Sequence, residues 1–208
     1  GAAVIPIAVV GMDCRFPGAP DKDAFWRLLM DGVIADSEVP SQRWNVDAYY
    51  RTDGAPGSMN TRRGHFIDNV DTFDNDFFGI APIEAGALDP QQRLLLESSW
   101  RAIEDAGIDP RSLTDTPTGV FVGIMSSEWS NLQILDFAGL SAFRGTGSGY
   151  FMTANRISYH LGLIGPSVAI DSACSSSLTA VHQGCAALRS GEADTVIAAG
   201  ANLILTPA

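Results

Sequence analysis

The sequence predicts an α/β fold, and three observations carry that prediction. Apolar runs of strand length alternate with segments whose apolar residues recur at helical spacing, glycines and prolines mark the joints, and no segment repeats. The run at residues 5–10, ending at Gly11, reads as a first buried strand of a parallel or mixed sheet. Asp21 or Asp23 caps a helix through Met30 with Phe25, Trp26, Leu28 and Leu29 as its apolar face and Gly32 as its stop. Residues 33–75 are rich in Gly, Pro, Asp, Asn and Arg and read as loops and short elements. Within them Trp44, Tyr49, Tyr50 and Phe66 need something to pack on. Asp89, then Pro90 at the first helical position, opens the clearest helix, which carries Leu94, Leu95, Trp100 and Ile103 and stops at Gly107. Residues 118–124 read as a second buried strand, 149–161 as a helix after a glycine-rich turn, 167–170 as a short buried strand and 195–205 as a last strand. Between those two strands, apolar residues at helical spacing from Ser175 to Ser190 are closed by Gly191.

Composition narrows the function. The chain is 46% hydrophobic and 18% charged, enough for one or at most two globular domains. Its formal charge of −11, from 13 basic and 24 acidic residues, argues against a nucleic-acid partner. No apolar run is long enough for a membrane span, and the start of the chain lacks the basic flank and cleavage pattern of a signal peptide. Three cysteines, Cys14, Cys174 and Cys185, cannot all pair and lack metal-ligand spacing, so a reducing, cytoplasmic setting is expected. Arg62-Arg63 reads as a solvated loop and residues 145–149 as a flexible turn without a phosphate-loop lysine. Asp68, Asp71, Asp74 and Asp76 do not match a calcium loop, and the interleaved Phe73, Phe77 and Phe78 suggest anchored turns. No metal site is expected.

The segment Asp171-Ser172-Ala173-Cys174-Ser175-Ser176-Ser177-Leu178 sets a cysteine at the joint of a strand and a helix. Unpaired N–H groups and the positive end of the helix dipole favour thiolate over thiol there, and a thiolate is a nucleophile. A free cysteine also serves as a small buried hydrophobe, and Cys174 taken alone admits both readings. The serines on either side make an unusually small, polar setting that lets a substrate or another backbone approach closely. A cysteine nucleophile in acyl transfer needs a histidine nearby. His182 lies eight residues further on, about 12 Å along a regular helix. His65 falls among the loops and His160 ends the preceding helix, neither within a motif. All three are expected to be satisfied structural residues, leaving no base for Cys174 in this chain.

Five segments together resemble the ketosynthase (β-ketoacyl synthase) domain of modular type I polyketide synthases. They are Ile7-Ala8-Val9-Val10-Gly11-Met12-Asp13-Cys14-Arg15-Phe16-Pro17-Gly18, Phe77-Phe78-Gly79-Ile80, Leu88-Asp89-Pro90-Gln91-Gln92-Arg93-Leu94-Leu95-Leu96-Glu97, Ala154-Asn155-Arg156-Ile157-Ser158-Tyr159 and the cysteine segment. The resemblance implies a thiolase-like fold of two mirrored α/β halves, assembled as a homodimer. Residues 1–208 correspond to the N-terminal half, and the C-terminal portion is absent from this chain. It implies that Cys174 is the nucleophile, whereas the family's two catalytic histidines and a supporting lysine belong to that later portion. Cys174 would take an acyl chain from the phosphopantetheine arm of an acyl carrier protein for decarboxylative Claisen condensation with a malonyl-type extender, its own N–H helping to hold the oxyanion. No bound cofactor or metal is implied; the partners are the carrier protein, the C-terminal half and a second copy. Alternatives are a fatty acid synthase condensing domain, or a non-catalytic half-domain acting as a dimerisation or packing module. Ile83, Leu88 and Ser172 stand where the family often has arginine, methionine and threonine. The retained cysteine argues against decarboxylating loading variants and chain-length-factor relatives. A half-domain should expose a large apolar face, and Met125 approaches the acyl pocket by analogy or packs in the core.

Overall fold

Asp21 accepts from the Ala24 N–H and starts helix α1 (Lys22–Met30). A two-residue antiparallel pair, β1 (Ser37–Glu38) with β2 (Arg63–Gly64), closes the loop-rich region. There follow α2 (Pro82–Ala87), α3 (Pro90–Asp105), β3 (Thr118–Ile124), α4 (Glu128–Ile134), α5 (Arg144–Ser148), α6 (Met152–Leu161), β4 (Ser167–Ile170), α7 (Ser176–Ser190) and β5 (Thr195–Ala201). This is a computed structural model that describes residues 5–125, 128–134 and 141–207, without the side chain of Ile134. Residues 1–4, part of the start read for a signal peptide, lie outside the described residues.

β3 lies between β4 and β5, parallel to both, and all seven of its residues are buried. A strand covered on both faces must be apolar throughout, which is why Thr118–Ile124 reads as a run rather than an alternation. Val120 and Val122 face α3 and α6 and share one core with Leu95, Leu96, Ile103 and Ile157. Phe121 turns the other way onto Ala180 and Ala187 of α7. The layers are therefore α7, the sheet, and α3 with α6. Buried polar groups lock the second helical layer. Arg156 donates from Nε to Gln92 Oε1 at 2.9 Å and from Nη1 to Glu84 Oε1 at 2.8 Å, and Gln92 Nε2 donates to the Gly147 carbonyl at 2.9 Å.

Several elements match the expectations. Asp89 caps α3 by accepting from the Gln91 N–H, and Gly107 follows at φ 71°. Burial pushes the Asp89 carboxyl above its usual value, against the pull of its bonds from Gln91. Trp44, Tyr50 and Phe66 pack around Val39 and Val46, although Tyr49 is exposed. Arg62 pairs with Glu38 and Asp47, and Arg63 with Asp36. The Asp74 carboxylate accepts from the Phe77 N–H, Phe73 stacks on Phe78, and Phe77 meets Trp100 edge-on, an anchored turn.

Other elements differ. The run at residues 5–10 is not a strand: Ile5, Val9 and Val10 are well exposed. Apolarity favours a strand, but a strand needs a hydrogen-bonded neighbour, and the sheet ends at β4 and β5. The run leads instead to Gly11, where a Cβ would stand 2.2 Å from the Ala102 carbonyl oxygen of α3. α1 buries none of its residues, and Trp26, Leu29 and Met30 point into solvent. The glycine-rich turn at 145–149 is largely the short helix α5, its Gly147 pressed against the Ala87 carbonyl. β4 is an edge strand only partly buried, with Val168 exposed, and β5 stops at Ala201 rather than 205. Met125 is 42% exposed, so it is not a core residue. Among the described residues no helix is long and apolar enough to cross a membrane.

Candidate functional site

Cys174 sits in the four-residue turn 171–174 after β4 and just before Ser175, the residue that caps α7. It is exposed among the described residues. Its backbone is held by side chains on both sides. Asp171 Oδ1 accepts from the Ala173 N–H at 2.9 Å. Ser176 Oγ accepts from the Ser172 N–H at 2.9 Å and donates to the Ala173 carbonyl at 2.6 Å. Ser175 Oγ donates to the Ser172 carbonyl at 2.8 Å, and Ser172 and Thr179 exchange a hydroxyl bond at 3.0 Å. Between these ties Ala173 has φ 56°, a left-handed conformation that costs a residue with a Cβ about 1–2 kcal/mol. The hydroxyl bonds offset that cost and turn the chain sharply, so that Cys174 projects at the start of α7. Among the described residues no turn, loop or side-chain hydrogen bond is donated by the Cys174 N–H.

Two glycines seat the turn. Gly123 of β3 and Gly200 of β5 are directly paired across the sheet. A Cβ on Gly123 would stand 2.4 Å from the Ser176 carbonyl carbon and 2.4 Å from the Ser177 nitrogen; one on Gly200 would stand 2.7 Å from the Ser177 Cβ. Glycine inside a strand commonly marks a close backbone approach, and here the approaching backbone is the first turn of the cysteine helix. Sequence reasoning missed both glycines, although a glycine within a strand run is a readable signal. It also missed the buried Ser176, the second of three serines that look alike in the sequence.

The histidines are dispersed. His182 is exposed on α7, and His65 is exposed beside β2. His160 ends α6, on the face of the sheet opposite α7, in a cavity of about 90 Å³ lined by Phe77, Phe78, Leu96 and Trp100 among others. It is half-buried and its Nε2 has no hydrogen-bond partner among the described residues, which corrects the expectation of a satisfied structural residue. Burial and then the Arg156 charge push its pKa below the ordinary histidine value, while Glu84 pulls the other way. Among the described residues no side chain hydrogen-bonds to Cys174, and no group of three or more His, Cys, Asp or Glu could hold a metal ion. Burial, then Asp13 and Asp21, push the Cys14 thiol pKa up.

A parallel sheet delivers a cysteine from strand end to helix start over a pair of glycines, an α/β arrangement consistent with the thiolase-like fold expected from the sequence. Residues 5–208 match the family profile described as Beta-ketoacyl synthase, N-terminal domain. A phenolphthiocerol/phthiocerol polyketide synthase of Mycobacterium tuberculosis is 49% identical over 204 residues, covering 97% of this chain and 11% of that protein. 6-Methylsalicylic acid synthase of Aspergillus terreus is 44% identical over 205 residues, again 97% of this chain and 11% of that protein. Among solved structures, an oxazolomycin ketosynthase domain of Streptomyces albus superposes with a TM-score of 0.87 at 39% identity, covering 96% of this chain and 35% of that one. The ketosynthase from module 6 of the bacillaene synthase of Bacillus subtilis gives 0.85 at 36% identity, covering 96% and 33%. The chain belongs to the β-ketoacyl synthase family, as an N-terminal domain of the polyketide synthase type. It spans about a tenth of the length of those curated relatives and about a third of those ketosynthase structures.

Proposed function

We propose that this chain is the nucleophile-bearing part of a polyketide synthase ketosynthase, and that Cys174 accepts the growing acyl chain. The observation that carries the reading is the exposed Cys174 thiol on a turn that four hydroxyls and a carboxylate brace. The thiolate attacks the thioester carbonyl of an acyl group on the phosphopantetheine of an acyl carrier protein. The carbonyl oxygen takes up negative charge beside the Cys174 N–H, the tetrahedral adduct collapses with the pantetheine sulfur leaving as its thiolate, and the acyl group remains on the Cys174 sulfur. One well-placed oxyanion donor contributes about 2.7–4 kcal/mol to such a step. A malonyl-type extender on a second carrier protein then loses carbon dioxide. Its enolate carbon attacks the Cys174 thioester and expels the thiolate, giving a β-ketoacyl chain two backbone carbons longer.

The described histidines stand apart from Cys174, so the bases for decarboxylation are assigned to the C-terminal portion of the same ketosynthase. The partners in this reading are the acyl carrier protein, that C-terminal portion and a second copy of the domain. The three unpaired cysteines fit work in the reducing cytoplasm. The test is to incubate the full synthase with an acyl-N-acetylcysteamine thioester and locate the adduct by peptide mass spectrometry. Acylation at Cys174, lost in Cys174→Ala while the fold is kept, is expected. A synthase that stays unacylated at Cys174 while its condensation activity is intact would refute the assignment and favour the packing-module alternative.

A further inference from the structure

We infer that Ser176 is a positioning residue for acyl transfer, its hydroxyl holding Ala173 left-handed so that Cys174 meets the thioester; this rests on the assignment of Cys174 as nucleophile. Ser176 is the one buried member of the serine triplet, at 4% exposure, whereas Ser175 and Ser177 face solvent. Its Oγ closes a ring that spans the cysteine: it accepts from the N–H two residues before Cys174 and donates to the carbonyl one residue before it. The Ser176 N–H also donates to that Ala173 carbonyl, at 3.0 Å. The Ser172 N–H before Ala173 and the Ala173 carbonyl after it are thus tied to one residue, while the Ala173 N–H itself is held by Asp171. The Ser176 carbonyl carbon and oxygen rest on Gly123, where even a Cβ would come within 2.4 and 2.6 Å.

Ser175 makes bonds of a different kind. Its hydroxyl reaches the Ser172 carbonyl and the Ser172 hydroxyl, on the entry side of Ala173, and not the Ala173 carbonyl. Ser177 has no hydroxyl bond among the described residues, so it is the matched control on the same helical turn. Without the Ser176 hydroxyl, Ala173 can relax toward the right-handed or extended regions that alanine prefers. The turn would then open and swing Cys174 off the start of α7. A displacement of about 1 Å at a nucleophile costs rate rather than binding.

The experiment follows Cys174 acylation by an acyl-N-acetylcysteamine thioester in the full synthase, with maximal rate and half-saturating concentration measured separately. Ser176→Ala is expected to lower the maximal rate roughly tenfold or more with little change in half-saturation, and Ser177→Ala to change neither. Adding Ala173→Gly to Ser176→Ala is expected to restore several-fold of the loss, because glycine adopts positive φ freely. A purely structural serine would lower the melting temperature without that rescue. If the unaltered synthase is not acylated at Cys174, the nucleophile assignment fails and takes this inference with it. If it is acylated and Ser176→Ala matches it, or the double variant gains nothing over the single one, the positioning role alone is overturned. Should Ser176→Ala fail to fold, the double variant and Ser176→Thr, which keeps a hydroxyl, decide: both retaining measurable acylation supports the role, and neither doing so overturns it.

Discussion

Gly123→Ala tests the seating of the cysteine turn most directly. The added methyl would meet the Ser176 carbonyl carbon and the Ser177 nitrogen at 2.4 Å and the Ser176 oxygen at 2.6 Å, where 3.4 Å is ordinary contact. One side must therefore retreat by about 1 Å. β3 cannot, because it is bonded to a strand on each side and its neighbours Val122 and Ile124 are almost fully buried. The start of α7 must lift instead, carrying the turn with it, while Ala180 and Ala187 further along stay packed on Phe121. Overpacking of this kind costs about 1–3 kcal/mol of stability, and a displacement near 1 Å at the nucleophile costs up to roughly a hundredfold in rate. The assay is time-resolved acylation of Cys174 by thioester, read by peptide mass spectrometry, beside denaturant unfolding of the same samples. Gly86→Ala is the control, since a Cβ there meets nothing within 4 Å and α2 should gain a little helical stability. Acylation by Gly123→Ala at the unaltered rate, with stability also unchanged, would refute the claim that α7 rests on this strand.

Arg156→Leu leaves Gln92 Oε1 and Glu84 without their donor inside the helical layer. It should cost about 3 kcal/mol, the low end for a broken buried pair because Glu84 is 25% exposed, whereas Arg62→Ala at the solvated pairs should leave the unfolding midpoint close to unchanged in the same denaturant titration. His160 has a folded pKa below its unfolded value of about 6.5. The unfolded chain then binds more protons, so the stability from a neutral His160 is present above that value and is lost as pH falls through it. His160→Gln should flatten the decline in unfolding free energy between about pH 7.5 and 5.5, and an unchanged slope would count against His160 as its source. Iodoacetamide near neutral pH should modify exposed Cys174 faster than Cys14, whose thiol is held protonated by burial and by Asp13 and Asp21; equal rates in peptide-resolved labelling would contradict that ordering.

Local signals were readable wherever a short stretch settles its own structure. Asp89-Pro90, the pair Asp21 or Asp23, and Gly191 marked helix ends because a cap acts within one turn, and the structure keeps all three ends, choosing Asp21 as the cap of α1. Cys174 was legible for the same reason, as the joint of one strand and one helix. What the sequence hid depends on residues far apart along the chain. Whether residues 5–10 form a strand is decided by whether another strand lies alongside, and apolarity at 5–10 says nothing of that. α5 was hidden because Gly145 and Gly147 argue locally for a turn, and only the packing of Gly147 on the Ala87 carbonyl shows why a small residue is needed inside a helix. Ser176 was hidden because its neighbours are also serines, and only burial distinguishes the one that clamps Ala173.

The same distance argument accounts for the outward face of α7. An ordinary surface helix turns its large apolar residues to the core and its small or polar ones to water. α7 does the reverse: Ala180, Gly184 and Ala187 lie against the sheet, while Leu178 and Val181 are 75% and 47% exposed. Small residues inward let the helix sit close to Gly123 and Gly200, which the cysteine turn requires. Large apolar residues outward have no such local reason, and a helix apolar on both sides belongs in the middle of a layered structure rather than on its surface.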